Sequence, residues 1–229
     1  MLTLAIDSAT RTIGLALLNE EEVCAEFYLN LGRHHTEILL PALDKLFLLT
    51  GYAPGEVDLL ACTVGPGSFT GLRIGVSTVK GLALAMARPV VGVSTLEALA
   101  VNAIPSRGLV CSMLDARKNQ VYTSLYKMGP EGLPEATIPE KLVDVAKFLH
   151  DLDQGEIVFL GDGAIRYEKL ISEILKDRAV LCGRRQQKLL ASAVGLIGLH
   201  RYRNGGVLDT RTFAPSYLRL SEAETKSGI

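Results

Sequence analysis

The residues with the clearest chemical potential are acids, hydroxyls and glycines that follow short apolar runs. Glycine lets a backbone approach a phosphate or another backbone closely, and turns at strand ends can hold phosphate through their N–H groups. Eight residues of this kind follow predicted strands: Asp7, Ser8, Thr10, Gly65, Gly67, Asp115, Gly161 and Gly163. We interpret them as the positions of phosphate loops in a nucleotide-binding type of fold.

The spacing around these positions departs from working phosphate loops. The string GPGSFTGLRIG at 65–75 matches neither GxxxxGK[ST] nor GxGxxG. The turn DARKN at 115–119 has an arginine and a lysine where such a turn would ordinarily use glycine. The sequence GDG at 161–163 is also typical of a simple turn before a helix, because the helix dipole stabilises an Asp near the helix N-terminus without any ligand. We therefore interpret the eight positions as vestigial, and the alternative that 65–75 serves only tight strand-to-helix packing stays open.

Candidate catalytic and metal-binding sets are incomplete in this sequence. The adjacent pair His34 and His35 cannot face one metal as two residues four apart on a helix do. Ser68 and Thr70 are turn hydroxyls with no histidine nearby in sequence to activate them. The four cysteines form no CxxC pair. We expect no catalytic residue, no metal and no cofactor.

Composition points to a globular chain of 229 residues, 48% hydrophobic and 21% charged, with room for two domains. The longest stretch without charge, 59–72, is too short to cross a bilayer, and no leader pattern opens the chain. Widely spaced cysteines suit a reducing compartment, so we expect a cytoplasmic protein with no membrane segment. Residues 1–104 are acidic and residues 105–229 mildly basic, too mildly for RNA binding without partners.

Hydrophobic periodicity predicts the same order of elements in both halves of the chain. The first half has predicted strands at 2–6, 12–18, 23–29, 57–64 and 90–93, and helices at 36–50, 70–88 and 96–103. The second half has predicted strands at 109–114, 121–126 and 157–160, and helices at 142–152, after Gly163 and at 187–203. This weak duplication predicts domains at 1–104 and 105–229, with the last helix and tail able to pack back on the first domain.

Two helices of the first half carry more apolar surface than their own sheet can cover. At 100° per residue, the apolar side chains of 38–50 fill an arc of about 200°, wider than the usual stripe. The helix at 70–88 confines its charged residues to one narrow side. We predict a partner surface formed by Leu39, Leu43, Leu46, Phe47, Leu72, Val76, Val79 and Ala83. The alternative, that a large core buries both helices, stays open.

Five segments together resemble a known family over essentially the whole chain: IDSAT, RHHTEILLPAL, GPGSFTGLRIG, DARKNQVY and PSYLR. They resemble the bacterial TsaB (YeaZ) family. The resemblance implies an α/β fold of two related actin/Hsp70-like (ASKHA, RNase H-like) domains, each a mixed sheet flanked by helices. It also implies a role in making threonylcarbamoyladenosine beside the tRNA anticodon. In that family a related subunit, TsaD, performs the transfer, and the ATPase TsaE is a further partner.

On this basis we expect a non-catalytic subunit that pairs with a TsaD-like transferase and works with a TsaE-like ATPase. Because the chains are related, the same surface should allow a homodimer when the partner is absent. Contact with tRNA is expected only within the complex. The alternative function is an ATP-dependent phosphotransferase of the actin-like superfamily, which needs complete phosphate hairpins and several metal-holding acids. Asp7 is a single acid, which is fewer than such a metal site requires.

Overall fold

The computed structural model describes residues 1–32, 34–103, 108–153 and 155–219. Within them the chain divides into two compact units, each built on one five-stranded mixed sheet. The first unit comprises Met1–Thr95 and Leu190–Ser216, and the second comprises Leu96–Leu189 and the described tail residues 217–219. Residues 96–103, which were expected in the first domain, belong to the second unit, where Leu99 lies next to Gly161.

The elements are as follows. The first sheet contains β1 (Leu2–Asp7), β2 (Ile13–Asn19), β3 (Glu22–Leu29), β4 (Leu59–Gly65) and β5 (Val90–Ser94). The second contains β6 (Leu109–Asp115), β7 (Gln120–Met128), β8 (Pro134–Asp144), β9 (Ile157–Leu160) and β10 (Ala179–Leu181). The helices are α1 (His35–Thr50), α2 (Phe69–Met86), α3 (Thr95–Ala100), α4 (Val145–His150), α5 (Asp162–Arg166), α6 (Glu168–Leu175) and α7 (Ala191–Arg203).

The two sheets share one topology. Their strand orders are β3-β2-β1-β4-β5 and β8-β7-β6-β9-β10, so each places its first strand in the centre. The first three strands of each sheet form an antiparallel meander, and the last two run parallel to the central strand. The predicted two-domain α/β fold with internal duplication is confirmed.

Strands β1 and β2 are buried on both faces, which explains their continuous apolar runs. Leu4 and Ile6 belong to the core formed with α1 and α2. Ala5 and Ala61 face the other way, towards α7. Helix α7 therefore belongs to the first unit although it lies late in the sequence.

Two features fix α7 on the first sheet. Gly198 lets the helix approach closely, since a Cβ there would stand 2.6 Å from the Cβ of Ala61. The carboxylate of Glu26 on β3 caps its N-terminus: it accepts the Ser192 N–H at 2.7 Å and the Ser192 hydroxyl at 3.1 Å. Such a cap satisfies a helix N–H group that has no partner within the helix.

Two helices and two strands of the structure differ from the sequence prediction. The helix predicted at 142–152 is only α4, because residues 142–144 extend β8 and pair with β7. The side chain of Asp144 then accepts the Lys147 N–H at 3.0 Å and begins the helix. Helix α7 begins at Ala191 instead of residue 187, after a turn at 183–186. The three-residue strand β10 was not predicted, and neither was the third strand of the second half.

Replacing Glu26 by Ala should lower the free energy of unfolding of the first unit by about 1 kcal/mol, because α7 loses the side-chain cap that Glu26 provides at its N-terminus. Thermal unfolding followed by circular dichroism, with hydrogen exchange of the α7 amides, measures the effect. Glu22→Ala on the same strand is the matched control, since Glu22 is exposed. Equal melting temperatures for the two variants would show that the cap contributes nothing.

Candidate functional site

Asp7 is a fully buried acid at the end of β1. Its Oδ1 accepts the Ala9 N–H at 3.0 Å and the Thr63 hydroxyl at 2.8 Å. Its Oδ2 has no hydrogen-bond partner within the described residues. Burial raises the pKa of Asp7 to about 6, and hydrogen bonds from Ala9, Thr63 and the Ser8 backbone offset only part of that rise. The carboxyl group is thus held in an environment that disfavours its charge.

The glycines of the string at 65–75 lie against the turn between β1 and β2. A Cβ on Gly67 would stand 2.2 Å from the carbonyl oxygen of Ala9, and one on Gly71 would stand 2.1 Å from that of Ser8. A Cβ on Gly75 would meet the Ser8 hydroxyl at 2.1 Å. Since these spaces are already occupied by the chain's own atoms, close internal packing accounts for the three glycines.

Hydrogen bonds join the same two segments. The Ser68 N–H donates to the carbonyl of Ala9 at 2.7 Å, and the Ser8 hydroxyl donates to the carbonyl of Gly71 at 2.8 Å. Gly65 has a φ of 129° and lies against the PSYLR segment at 215–219. In that segment the Ser216 N–H donates to the carbonyl of Val64 at 2.7 Å. The motif residues of the first unit thus pack against one another and form hydrogen bonds with one another.

The hydroxyls of this region have structural partners. The Ser68 side chain accepts the Gly71 N–H at 3.2 Å and is the N-cap of α2. The Thr10 hydroxyl lies 2.9 Å from that of Thr12 in a local turn. Thr70 is exposed in the first turn of α2. None of these contacts joins a hydroxyl to a base.

The second unit repeats this arrangement with different electrostatics. The Arg117 N–H donates to Asp115 Oδ1 at 3.0 Å, as Ala9 does to Asp7. Asp115, however, is only partly buried and forms an ion pair with Arg166 at 3.1 Å. A Cβ on Gly161 would stand 2.1 Å from the carbonyl oxygen of Met113, so this loop also packs on its central strand.

The eight residues predicted to contact a partner lie in the interior of the first unit. Leu39, Leu43, Leu46, Phe47, Leu72, Val76, Val79 and Ala83 are all buried within this chain. This corrects the choice of contact residues, because seven of these side chains belong to the core that α1 and α2 form with the sheet, and Leu72 is fully buried as well. Gly75 also lies inside, against Ser8, so it cannot receive a partner helix.

Other apolar residues of the same helices face solvent. Leu40, Leu48 and Leu49 on α1 are 54%, 70% and 72% exposed, and Leu84 on α2 is 64% exposed. Gly81 on α2 has open space where a side chain would stand. We call these five residues the outer face of α1 and α2. The sequence contains a pattern that predicts this face. Leu40 and Leu48 lie four residues before and after Asp44, so all three lie on one side of α1, and the charged Asp44 marks that side as solvent-facing.

Among the described residues, no group of three or more His, Cys, Asp or Glu side chains is arranged to hold a metal ion. Within the same residues, no helix has the length and apolar character needed to cross a membrane.

The duplicated topology defines a two-unit protein of the actin-like class. The structure of a polyphosphate/ATP-glucomannokinase from Arthrobacter sp. superposes on 88% of this chain and 99% of its own, with a TM-score of 0.54 and 10% identity, which shows the fold alone. YeaZ from Pseudomonas aeruginosa superposes with a TM-score of 0.82 and 28% identity over 95% of this chain and 99% of its own.

Sequence comparison is more specific. The family model described as "TsaD: tRNA N6-adenosine threonylcarbamoyltransferase" matches residues 23–227. The tRNA threonylcarbamoyladenosine biosynthesis protein TsaB of Bacillus subtilis is 35% identical over 228 residues, covering 99% of this chain and 97% of the relative. The chain belongs to the TsaB (YeaZ) family, a branch of the wider TsaD family, and takes part in tRNA threonylcarbamoyladenosine biosynthesis.

Asp7 should make stability fall as pH rises. Between pH 3.8 and about 6 the folded state keeps a proton that the unfolded state releases, so ionisation costs up to about 3 kcal/mol above pH 6. Asp7→Asn keeps the Oδ1 acceptor without the charge. Its melting temperature relative to the parent protein should therefore increase as pH rises from 4 to 7. A difference that stays constant over this range would contradict the raised pKa.

Proposed function

We propose that this chain is a non-catalytic subunit that pairs through the outer face of α1 and α2 with a TsaD-like threonylcarbamoyltransferase. The observation that carries the proposal is the set of four exposed leucines that the chain's own core leaves uncovered. Exposed apolar patches on a soluble domain commonly mark protein interaction sites. Gly81 lies on the same face, and its open space would let a partner helix approach closely.

Kinship between this chain and the transferase family supports the pairing. The transferase family model extends over most of this chain, so a transferase subunit should carry helices equivalent to α1 and α2. Two related chains can then pair face to face in a near-twofold arrangement, and the same face supports a homodimer when the partner is absent. A TsaE-like ATPase completes the proposed complex, which acts on tRNA in the cytoplasm.

The packing of the glycine-containing loops supports a non-catalytic role for this chain. Gly67, Gly71 and Gly161 are packed against backbone of their own unit, which leaves them little freedom to wrap a phosphate. The hydroxyls of Ser8 and Ser68 serve a backbone carbonyl and a helix cap. Turnover of Mg-ATP by the isolated chain would favour the phosphotransferase alternative instead.

Charge placed on the outer face should break assembly without unfolding the chain. Leu48→Arg or Leu84→Arg adds a charge at a solvent-facing position, which is harmless alone but would be buried unpaired on pairing. Such a charge costs several kcal/mol, so the dissociation constant should rise at least a hundredfold. Light scattering of the mixed subunits, with circular dichroism of each variant, measures pairing and folding separately.

The matched control is Leu46→Arg, on the same helix but fully buried in the core of the first unit. It should unfold the unit. Folded Leu48 and Leu84 variants that still pair with both the transferase subunit and a second copy of the chain would contradict the proposed surface.

Ser68→Ala should lower the stability of the chain by about 1 kcal/mol through loss of the α2 cap, yet leave tRNA modification by the complex within a few-fold of normal. Thr70→Ala, at an exposed position two residues away, should change neither property. Melting temperatures and a modification assay with the assembled complex measure both. A thousandfold loss of modification in a folded, assembled Ser68 variant would show that its hydroxyl takes part in catalysis.

A further inference from the structure

Three segments meet at one edge of the second sheet. Strands β6, β9 and β10 are parallel, so they all end at this edge. The turn 115–119 follows β6, the turn into α5 follows β9, and the segment 182–188 follows β10. Hydrogen bonds join them: the Asp115 N–H donates to Asp162, and the Gly161 N–H donates to Gln187, so each neighbouring pair is in contact among the three segments. We call them together the basic edge.

The segment 182–188 is fixed at this edge by Gln187. The side-chain oxygen of Gln187 accepts the Gly161 N–H, and its nitrogen donates to the carbonyl of Cys182 at 2.8 Å. The Gly183 N–H donates to the side chain of Gln186 at 3.2 Å, which closes the turn that carries Arg184 and Arg185. The backbone turn that carries these two arginines is thus held beside the end of β9.

Positive charge dominates the basic edge. Its three segments contain five cations, Arg117, Lys118, Arg184, Arg185 and Lys188, and two acids, Asp115 and Asp162, while a sixth cation, Arg166, lies at the end of α5. Both acids are engaged: Asp115 pairs with Arg166 at 3.1 Å, and Asp162 accepts the Asp115 N–H at 2.9 Å. Within the described part of the chain, four cations are exposed and have no ion-pair partner: Arg117, Lys118, Arg184 and Arg185.

The turn at 115–119 holds its cations in an unusual backbone. Arg117, Lys118 and Asn119 have φ values of 61°, 52° and 56°, a region that side-chain-bearing residues adopt at an energetic cost. Several hydrogen bonds support the turn: Asp115 accepts the Arg117 N–H, the Gln120 N–H donates to the Arg117 carbonyl at 2.9 Å, and Arg219 of the PSYLR segment donates to the Ala116 carbonyl at 2.9 Å. The result is a rigid turn that keeps two cationic side chains in solvent.

We propose that the basic edge contacts the phosphate backbone of the tRNA substrate when the complex is assembled. The inference rests on the proposed function, because a mildly basic chain needs a partner to bind RNA productively. Exposed cations spread along an edge match a row of separate phosphates, each of which releases condensed counterions when neutralised. Such contacts position the RNA and do not identify its sequence.

A nucleotide fits the same edge less well. Binding of a compact triphosphate usually relies on backbone N–H groups of a glycine-rich loop that folds around it. Here Gly161 is packed on the carbonyl of Met113, and Gly163 would place a Cβ 2.9 Å from the Met113 carbonyl carbon. The β6–β7 turn, moreover, carries Arg117 and Lys118 in place of glycine. The cations therefore favour an extended polyanion.

The test uses the full chain assembled with the transferase subunit, and an unmodified tRNA transcript that carries adenosine beside its anticodon. Two double variants, Arg117→Gln with Lys118→Gln and Arg184→Gln with Arg185→Gln, each remove two exposed cations. Binding is measured by fluorescence anisotropy at several salt concentrations around 0.1 M. We expect each double variant to weaken binding roughly tenfold and to lower the slope of log affinity against log salt by about one to two.

A matched control removes the same charge from the opposite edge of the same sheet. Lys127 lies near the end of antiparallel β7, and Lys176 precedes β10, so both are remote from the basic edge. The Lys127→Gln, Lys176→Gln variant should bind tRNA as the parent complex does. Equal loss of affinity in the control and in the basic-edge variants would mean that only net charge matters, which would overturn the proposal.

Assembly is measured in the same samples by light scattering, so the two proposals can fail separately. Variants that assemble normally and bind tRNA with unchanged affinity and salt slope would overturn the basic edge and leave the subunit role standing. Loss of assembly in these variants would show that the edge binds an acidic protein surface instead of RNA. Failure of the parent chain to pair with the transferase subunit would overturn the proposed function itself. Competition of Mg-ATP with tRNA for this edge would identify a nucleotide site and contradict the inference.

Discussion

Close packing of the glycine string on the β1–β2 turn is the constraint on which the first unit depends. Gly71 and Gly75 bring the first two turns of α2 into contact with Ser8. This contact sets where α2 lies on the sheet, and α2 together with α1 then covers one face of β1 and β2. Because no side chain fits at these positions, the helix cannot shift outward or inward without breaking the Ser8 hydrogen bond.

The same topology in the second unit serves a different surface. In both units an acid ends the central strand and accepts an N–H from two residues later. Asp7 is sealed inside, with a pKa raised to about 6 by burial, whereas Asp115 remains partly exposed and pairs with Arg166. The two units thus share this backbone geometry but differ in side chains: the strand ends are packed internally in the first unit and carry exposed cations in the second.

Sequence patterns could predict the fold because strands that are buried on both faces, such as β1, are continuously apolar whatever lies around them. The duplication was visible for the same reason. The partner-contact residues could not be chosen correctly from the apolar arc of a helix, because the width of the arc does not indicate which part of it packs on the sheet. Leu46 and Leu48 are both apolar residues of α1, yet one is fully buried and the other is 70% exposed. Strand β10, with three residues, is too short for any periodic signal.

The division between buried and exposed leucines lets one helix pair stabilise the unit and still present the surface that we propose for pairing. The side chains that face the sheet, such as Leu39 and Val79, stabilise the unit whether or not a partner is bound. Those on the outer face add nothing to that core, so they are free to be selected for pairing alone. A chain that retains exposed leucines carries a standing risk of aggregation. The proposed pairing with a related helix pair, from a transferase subunit or a second copy, would cover the face and remove that risk.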